Sequence, residues 1–196
     1  MRGGKRVKNV SLCLVVVPDY KRLVLMSILG GTAIALSLLR VEVPFPLLPY
    51  LKFDAAEIPD ALAFYFCGLP YGLAATLIHF LGLVARGSDP VSASMKLGAV
   101  AAMLLGAAAA RRLVWQVVWG SAVRAVVMTI ANYLYLYVLF PGFLGYALSM
   151  VSWLGGAAAL FALTAVFNVL HTVLTLVIAR WIFEEVKKRL GGSLVI

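Results

Sequence analysis

The sequence predicts an all-α membrane protein: one domain with a bundle of six transmembrane helices and a long extracellular loop between helices one and two. This prediction rests on the composition, the long charge-free stretches and the distribution of basic residues. Of the 196 residues, 63% are hydrophobic and only 13% are charged. A soluble domain of this size has too little interior to bury so much apolar surface, whereas a bilayer solvates it.

The helices follow from the charge-free stretches, since a spanning helix needs about 20 mostly apolar residues. The stretch 61–85 has no charge, but the segment GLPYG at 68–72 interrupts it, and a proline with two glycines marks a turn. We therefore divide this stretch into two shorter helices. The segment PGFLG at 141–145 separates the last two helices. The predicted helices are 23–39, about 57–69, about 71–85, 91–110, 113–140 and 155 to about 185.

The basic residues predict the orientation of the bundle. The net charge is +9, and most lysines and arginines lie near the two ends and at Arg111 and Arg112. With six spans these groups share one side, and the other side carries only Arg40, Lys52 and Arg86. Cytoplasmic segments carry the excess of basic residues, so both termini are predicted to be cytoplasmic. This arrangement is unlike a basic patch for nucleic acid, and no nucleic-acid partner is predicted.

The chain is predicted to consist of a cytoplasmic basic leader (1–21), the membrane domain (22–190) and a cytoplasmic tail (191–196). The leader has the basic start of a signal peptide, but its apolar run is short and no small-residue cleavage site follows. Cys13 and Cys67 have no metal-binding spacing and form no disulfide framework. Phosphate-loop, His-Glu-x-x-His and Gly-x-Ser-x-Gly motifs are absent from the sequence, so we predict neither an enzyme nor a cofactor or metal.

The segment 44–64, PFPLLPYLKFDAAEIPDALAF, concentrates charge in an otherwise apolar chain. Its prolines restrict the backbone, and its aromatic and leucine side chains are suited to covering apolar surface. Two interpretations have equal weight from these residues alone: a lid on a binding cavity, or a plain linker.

The same segment resembles the region from helix one to helix three in the riboflavin-binding S components, the substrate-binding subunits of energy-coupling-factor (ECF) vitamin transporters. That family shows Phe-Pro, then Leu-Lys-Tyr/Ile-Asp, then an acid followed by a hydrophobe and Pro, and later Gly-Pro-Leu-Ala-Gly. The resemblance extends downstream to a Met-Thr…Asn-Tyr stretch and a Phe-Asn-x-x-Lys stretch, and covers about 22–190. The counterparts here are Phe45-Pro46, Leu51-Lys52-Phe53-Asp54, Glu57-Ile58-Pro59, GLPYG at 68–72, MTIANY at 128–133 and FNVLH at 167–171.

Three positions depart from the family pattern. The family's lysine in helix six is His171 here, and a basic residue common in helix three is His79. The usual asparagine of helix four is Met95, beside Lys96. The resemblance implies riboflavin or a related vitamin as the transported ligand, and these departures leave two alternatives open: a ligand other than riboflavin, or riboflavin held by different contacts.

Polar residues within the predicted helices are candidates for ligand contact, because ionisable and amide groups in a bilayer face the bundle interior or a wet cavity. Helix six carries one polar stripe at helical spacing, and Asn132 shares a face of helix five with Met128 and Tyr135. Hydrogen bonding between helices is the alternative, which we favour for the threonines and for His79. The roles of Lys96 and Arg124 stay open. The stripe comprises Thr164, Asn168, His171, Thr172 and Thr175, and the candidate ligand-binding residues are Lys52, Phe53, Asp54, Asn132, Asn168 and His171.

Small residues recur every four positions on helix one, at Ser27, Gly31 and Ala35. Such a face lets another helix approach closely, either within the bundle or from a partner. The resemblance implies the second: a transmembrane coupling subunit, which joins two ATPase subunits, docks on helix one.

These observations predict a subunit of a prokaryotic cell membrane that captures riboflavin on the extracellular side for ATP-driven uptake. Three alternatives are an S component for a different vitamin, an assembly protein without a ligand, and an intramembrane enzyme. The enzyme would act on a lipid or isoprenoid through Lys52, Asp54 and His171.

Overall fold

The computed structural model describes residues 19–189. The predicted leader up to residue 18 and the predicted tail lie outside the described residues. Seven α-helices and one two-stranded antiparallel sheet make up the described part of the chain. Their bounds are α1 Asp19–Leu38, β1 Glu42–Phe45, β2 Leu48–Asp54, α2 Glu57–Cys67, α3 Leu69–Ala85, α4 Pro90–Ala108, α5 Leu113–Leu134, α6 Pro141–Val151 and α7 Ala157–Arg189.

Within residues 19–189, four helical segments are long and apolar enough to cross a membrane, which makes this a multi-pass membrane protein. The α3 helix is apolar but shorter, and α2 has only 11 residues. Both are shorter than the length of about 20 residues that a full span needs. The helices predicted from charge-free stretches are thus present with small shifts at their ends, while the count of six spans stays a prediction. The four segments are Tyr20–Leu38, Pro90–Ala108, Leu113–Leu139 and Ala157–Arg189.

The break predicted at 68–72 is a single residue in the structure. Gly68 has a φ of +96°, which favours glycine, and α3 begins at the next residue. Pro70 lies in the first turn of α3, where the missing amide hydrogen costs no helical bond. A Cβ on Gly72 would lie 2.8 Å from Phe64 Cβ, so α2 and α3 come very close here. The division of 61–85 into two helices is therefore confirmed.

The break predicted at 141–145 is wrong, because these residues are helical. These residues begin α6, Pro141–Val151, and Pro141 occupies its first turn. Proline is acceptable there because its φ already suits a helix. The preceding helix also departs from the prediction, because α5 passes into a π-helical turn at Tyr135–Leu139. The turn before α7 lies instead at Gly155 and Gly156, which have φ of +109° and +65°.

The segment predicted as a loop over the bundle is largely a β-hairpin. Glu42 pairs with Asp54 and Val43 with Phe53, and the register shifts between Pro44 and Phe45. The shift follows from proline, which has no amide hydrogen to give to the strand pairing. The helical part of the segment begins at Glu57, as the first residue of α2.

The hairpin is packed onto the bundle rather than free in solvent. Phe45 and Leu48 are buried in a core cluster with Leu136, Leu160 and Phe167. This cluster joins the hairpin to the π-helical turn after α5 and, through Ala147 and Leu160, to α6 and α7. A second cluster, centred on Phe66, Met103 and Leu176, holds α2, α4 and α7 together. The hairpin thereby forms the roof of a cavity, and helices α2, α4, α5 and α7 contribute to its walls.

Candidate functional site

A cavity of about 440 Å³ lies between the hairpin and helices α2, α4, α5 and α7. Five of the six predicted ligand-binding residues line it, although they come from three separate parts of the chain. Ligand pockets typically measure about 300–1,000 Å³, and this cavity falls in that range. The five residues are Lys52, Asp54, Asn132, Asn168 and His171.

The sixth residue, Phe53, lies behind the cavity wall and is not among its lining residues. Residues in a strand alternate between faces, so Phe53 points away from the side shared by Lys52 and Asp54. Its ring centroid lies 4.9 Å from that of Phe167 and 5.5 Å from that of His171. Phe53 therefore supports the wall and the His171 ring.

The floor of the cavity is an ion pair between Arg124 on α5 and Glu57 on α2. Arg124 Nη1 donates to Glu57 Oε2 at 2.6 Å, and Nη2 donates to Glu57 Oε1 at 3.0 Å. Both side chains are only 2% exposed. A buried charge is tolerated when it is paired and hydrogen-bonded, and the two parallel bonds meet that condition.

Arg124 also contacts two of the predicted ligand-binding residues. Its Nε donates to Asn168 Oδ1 at 3.0 Å, and its Nη2 lies 3.1 Å from His171 Nδ1. The amide nitrogen of Asn168 donates within α7 to the Thr164 carbonyl oxygen at 2.9 Å. The polar stripe of α7 thus faces the cavity floor at Asn168 and His171, as the spacing predicted.

His171 links the floor to the hairpin. Its Nε2 lies 3.2 Å from the Asp54 backbone nitrogen and 3.4 Å from the Asp54 carbonyl oxygen. The Asp54 side chain accepts a hydrogen bond from the Ala56 backbone nitrogen at 2.7 Å. It also forms an ion pair with Lys96 on α4. Asp54 therefore ties the end of the hairpin to α4 and α7.

A third ion pair lies within the hairpin, where Lys52 Nζ is 2.9 Å from Glu42 Oε2. The Lys52 side chain is 50% exposed, so this pair contributes little to stability. Tyr50 completes the hairpin side of the cavity, and burial raises the pKa of its hydroxyl to about 12. The hydroxyl of Tyr50 is therefore protonated throughout the physiological pH range.

The remaining surface of the cavity is mostly apolar. Asn132 is the polar exception on α5, and its amide nitrogen donates to the Met128 carbonyl oxygen at 2.7 Å. None of the hydrogen bonds found among residues 19–189 uses Asn132 Oδ1. A flat apolar ligand with a polar edge would find both kinds of surface here. The apolar lining residues include Met95, Ala99, Met128, Leu136, Phe143 and Phe167.

Sequence reasoning missed Glu57 and Arg124 as parts of the site. It named Glu57 only as part of a family motif, and it left open whether Arg124 faces the ligand or a partner protein. A signal was present, because Arg124 lies in an otherwise apolar span, and an intramembrane charge needs an opposite charge nearby. Lys96, also left open, lines the cavity, whereas His79 lies outside it, bonded to Asp60 and Ser37 as a bundle residue.

Comparison with known proteins places this arrangement in a class. No family model matches the chain. The solved structure of the S component of a bacterial ECF transporter aligns with a TM-score of 0.61 at 23% identity, over 89% of this chain and 97% of that one. The fold is therefore that of the S component of an ECF transporter.

A curated relative narrows the class. The riboflavin transporter RibU of Staphylococcus aureus (strain TCH60) is 30% identical over 147 residues, which are 71% of this chain and 72% of the relative. The chain belongs to the riboflavin transporter family of ECF S components. These relatives are transport components, not enzymes, and the intramembrane-enzyme alternative is set aside.

Proposed function

We propose that this chain captures riboflavin in the cavity beneath the hairpin and delivers it for ATP-driven uptake by an ECF transporter complex. The observation that carries the proposal is the charge balance of the cavity. Every carboxylate that lines it is paired with one lysine or arginine that also lines it. The pairs are Glu42 with Lys52, Asp54 with Lys96, and Glu57 with Arg124.

This balance favours a neutral ligand. A ligand with a net charge would have to compete with one of these pairs, and leaving a buried charge without its partner is costly. Riboflavin is neutral and offers an apolar ring system with carbonyl and imide groups at one edge. Thiamine is a cation, whereas biotin and folate carry carboxylates. The cavity therefore suits riboflavin better than these charged vitamins.

The surface of the cavity matches the same ligand. Methionine, leucine and phenylalanine side chains provide contact for a flat ring. Asn132 Oδ1 provides an acceptor for an imide N–H, and Asn168 provides an amide donor for a carbonyl oxygen. We infer that Asn132 and Asn168 contact the ring edge, with Lys52, Asp54 and His171 around it.

The ligand is proposed to enter from the extracellular side. The hairpin lies on the side of the bundle that carries few basic residues, Arg40, Lys52 and Arg86 among them. The opposite side carries Arg111, Arg112 and the basic end of α7. Because cytoplasmic segments carry the basic excess, the termini are proposed to be cytoplasmic and the hairpin extracellular.

The docking face for the partner is proposed to be on α1. Ser27, Gly31 and Ala35 are exposed, and a Cβ added to Gly31 would have no described neighbour within 4 Å apart from the adjoining backbone of its own helix. By contrast, a Cβ on Gly30 would lie 3.1 Å from Ile78 Cγ2. The small residues at 27, 31 and 35 therefore face away from the bundle and are available to a transmembrane coupling subunit. That subunit and two ATPase subunits would supply the energy for transport.

A direct test is ligand binding by the purified protein. Riboflavin fluorescence should be quenched saturably, and thiamine, biotin and folate in excess should fail to restore it. Lack of quenching by riboflavin, together with binding of another vitamin, would assign the chain to a different substrate. Lack of binding to any of them would count against the substrate-capture proposal.

A further inference from the structure

Arg124 has no hydrogen-bond donor left for a ligand. A guanidinium group has five N–H donors and no acceptor. In this structure they are directed at Glu57, Asn168, His171 and the sulfur of Met103, which lies 3.6 Å from Nη1. The side chain is also only 2% exposed. Arg124 lines the cavity floor but offers a ligand no free donor, so its effect on the ligand's hydrogen bonds passes through the residues that it contacts.

Its contact with Asn168 fixes the orientation of an amide group. The oxygen and nitrogen of an asparagine side chain are nearly equal in size, so the amide can turn over and exchange its donor and acceptor. Arg124 Nε always donates, so Asn168 Oδ1 must face it. The Asn168 nitrogen then donates one hydrogen to the Thr164 carbonyl oxygen, and its second hydrogen has no acceptor among residues 19–189.

The contact with His171 is shared with the hairpin. Arg124 Nη2 lies 3.1 Å from His171 Nδ1, and the Asp54 backbone nitrogen lies 3.2 Å from Nε2; both are donors, and a neutral imidazole accepts at only one of its two nitrogens. Nε2 also lies 3.4 Å from the Asp54 carbonyl oxygen and 3.5 Å from Glu57 Oε2. His171 is thereby directed toward the hairpin, and Asn168 is the donor left for the cavity.

Glu57 holds Arg124 in the position that these contacts require. Two parallel bonds from one carboxylate restrict the rotation of the guanidinium plane. Asn132 is independent of this arrangement, because its amide is oriented by the Met128 carbonyl oxygen of its own helix.

We propose that Arg124, held by Glu57, is a specificity-determining positioning residue: together with the Thr164 carbonyl oxygen it holds Asn168 as a hydrogen-bond donor, so that the cavity floor selects a ligand carbonyl oxygen. This inference rests on the proposed function, since an isoalloxazine presents such oxygens at its ring edge. A ligand with a donor at the same place would meet a second donor and be rejected.

A double-mutant cycle tests this dependence. Asn168→Ala is made in the wild-type protein and in the variant Glu57→Gln/Arg124→Met, which removes both charges together and leaves no buried charge alone. In the wild-type background the loss of riboflavin affinity should be at least about fivefold, the lower limit for a buried hydrogen bond. In the Glu57→Gln/Arg124→Met background the same change should cost less than in the wild type, because Asn168 then keeps only the bond to the Thr164 carbonyl oxygen of its own helix.

Asn132→Ala is the matched control, since it removes a cavity asparagine that Arg124 does not contact. Its cost should be the same in both backgrounds. Equal costs of Asn168→Ala in the two backgrounds would overturn the inference. Absence of riboflavin binding by the wild-type protein would remove the proposed ligand as well, so the two failures are distinguishable.

Asn168→Asp tests the polarity even if the double variant does not fold. An aspartate keeps an oxygen for Arg124 Nε but has no N–H for the ligand. Riboflavin affinity should fall at least as far as in Asn168→Ala. Binding at the wild-type level would show that residue 168 acts as an acceptor and would contradict the inference.

Discussion

The imidazole of His79 and the carboxylate of Asp60 form a buried hydrogen bond, with 2.9 Å between Nδ1 and Oδ2. The other ring nitrogen of His79 lies 2.8 Å from Ser37 Oγ. The bonds join α2, α3 and α1, and none of the three residues lines the ligand cavity. Because polar groups within a bilayer are costly unless they are hydrogen-bonded, this chain of contacts holds the first three helices together.

Replacing His79 with leucine should destabilise the protein without weakening ligand binding. The change leaves Asp60 and Ser37 without their partner, and each lost partner costs about 1–3 kcal/mol. The apparent melting temperature in detergent should fall, while the Kd for riboflavin stays within about twofold of wild type. Thr76→Val is the control, because the Thr76 hydroxyl bonds to Gly72 within its own helix. An equal fall in both variants would contradict a special role for His79.

The hairpin should become less mobile when riboflavin binds. Leu47 is the suitable position for a spin label because it is 41% exposed, whereas Leu48 is fully buried. The label should lose mobility on addition of riboflavin if the hairpin closes over the cavity. Lys96→Met, which removes the ion pair with Asp54, should make the unliganded hairpin more mobile. Identical spectra with and without saturating riboflavin would contradict a lid function and indicate that the hairpin is a plain linker.

Two adjacent glycines of α1 should respond in opposite ways to a bulky residue. Gly31→Leu should block docking and stop cellular riboflavin uptake while the purified variant still binds riboflavin, because Gly31 faces away from the bundle. Gly30→Leu should lower stability, because its side chain would meet Ile78. Loss of riboflavin binding in Gly31→Leu would indicate that this face is internal to the bundle.

The orientation can be measured by labelling single cysteines in intact cells, after Cys13 and Cys67 are replaced with serine. Cysteine at Ser149, on the exposed surface of α6, should react with a membrane-impermeant reagent. Cysteine at Arg111, between α4 and α5, should react only after the cells are opened. The reverse pattern would place the termini outside and the hairpin in the cytoplasm.

Local patterns in the sequence determined much of this protein. The charge-free stretches located the helices, because a bilayer admits few other segments. The spacing of Asn168 and His171 placed both on one face of α7, since residues three apart are neighbours on a helix. The same rule predicted the shared face of Ser27, Gly31 and Ala35. The proline at Pro141 misled the prediction, because proline can begin a helix as well as end one.

Only the tertiary structure decided which distant groups meet. Glu57 and Arg124 are 67 residues apart, and His171 and Asp54 are 117 apart. Helical periodicity says which residues share a face but not which other helix that face contacts, since this depends on how the helices pack. The floor of the cavity, the outward direction of Gly31 and the pairing of the hairpin strands are therefore properties of the folded bundle.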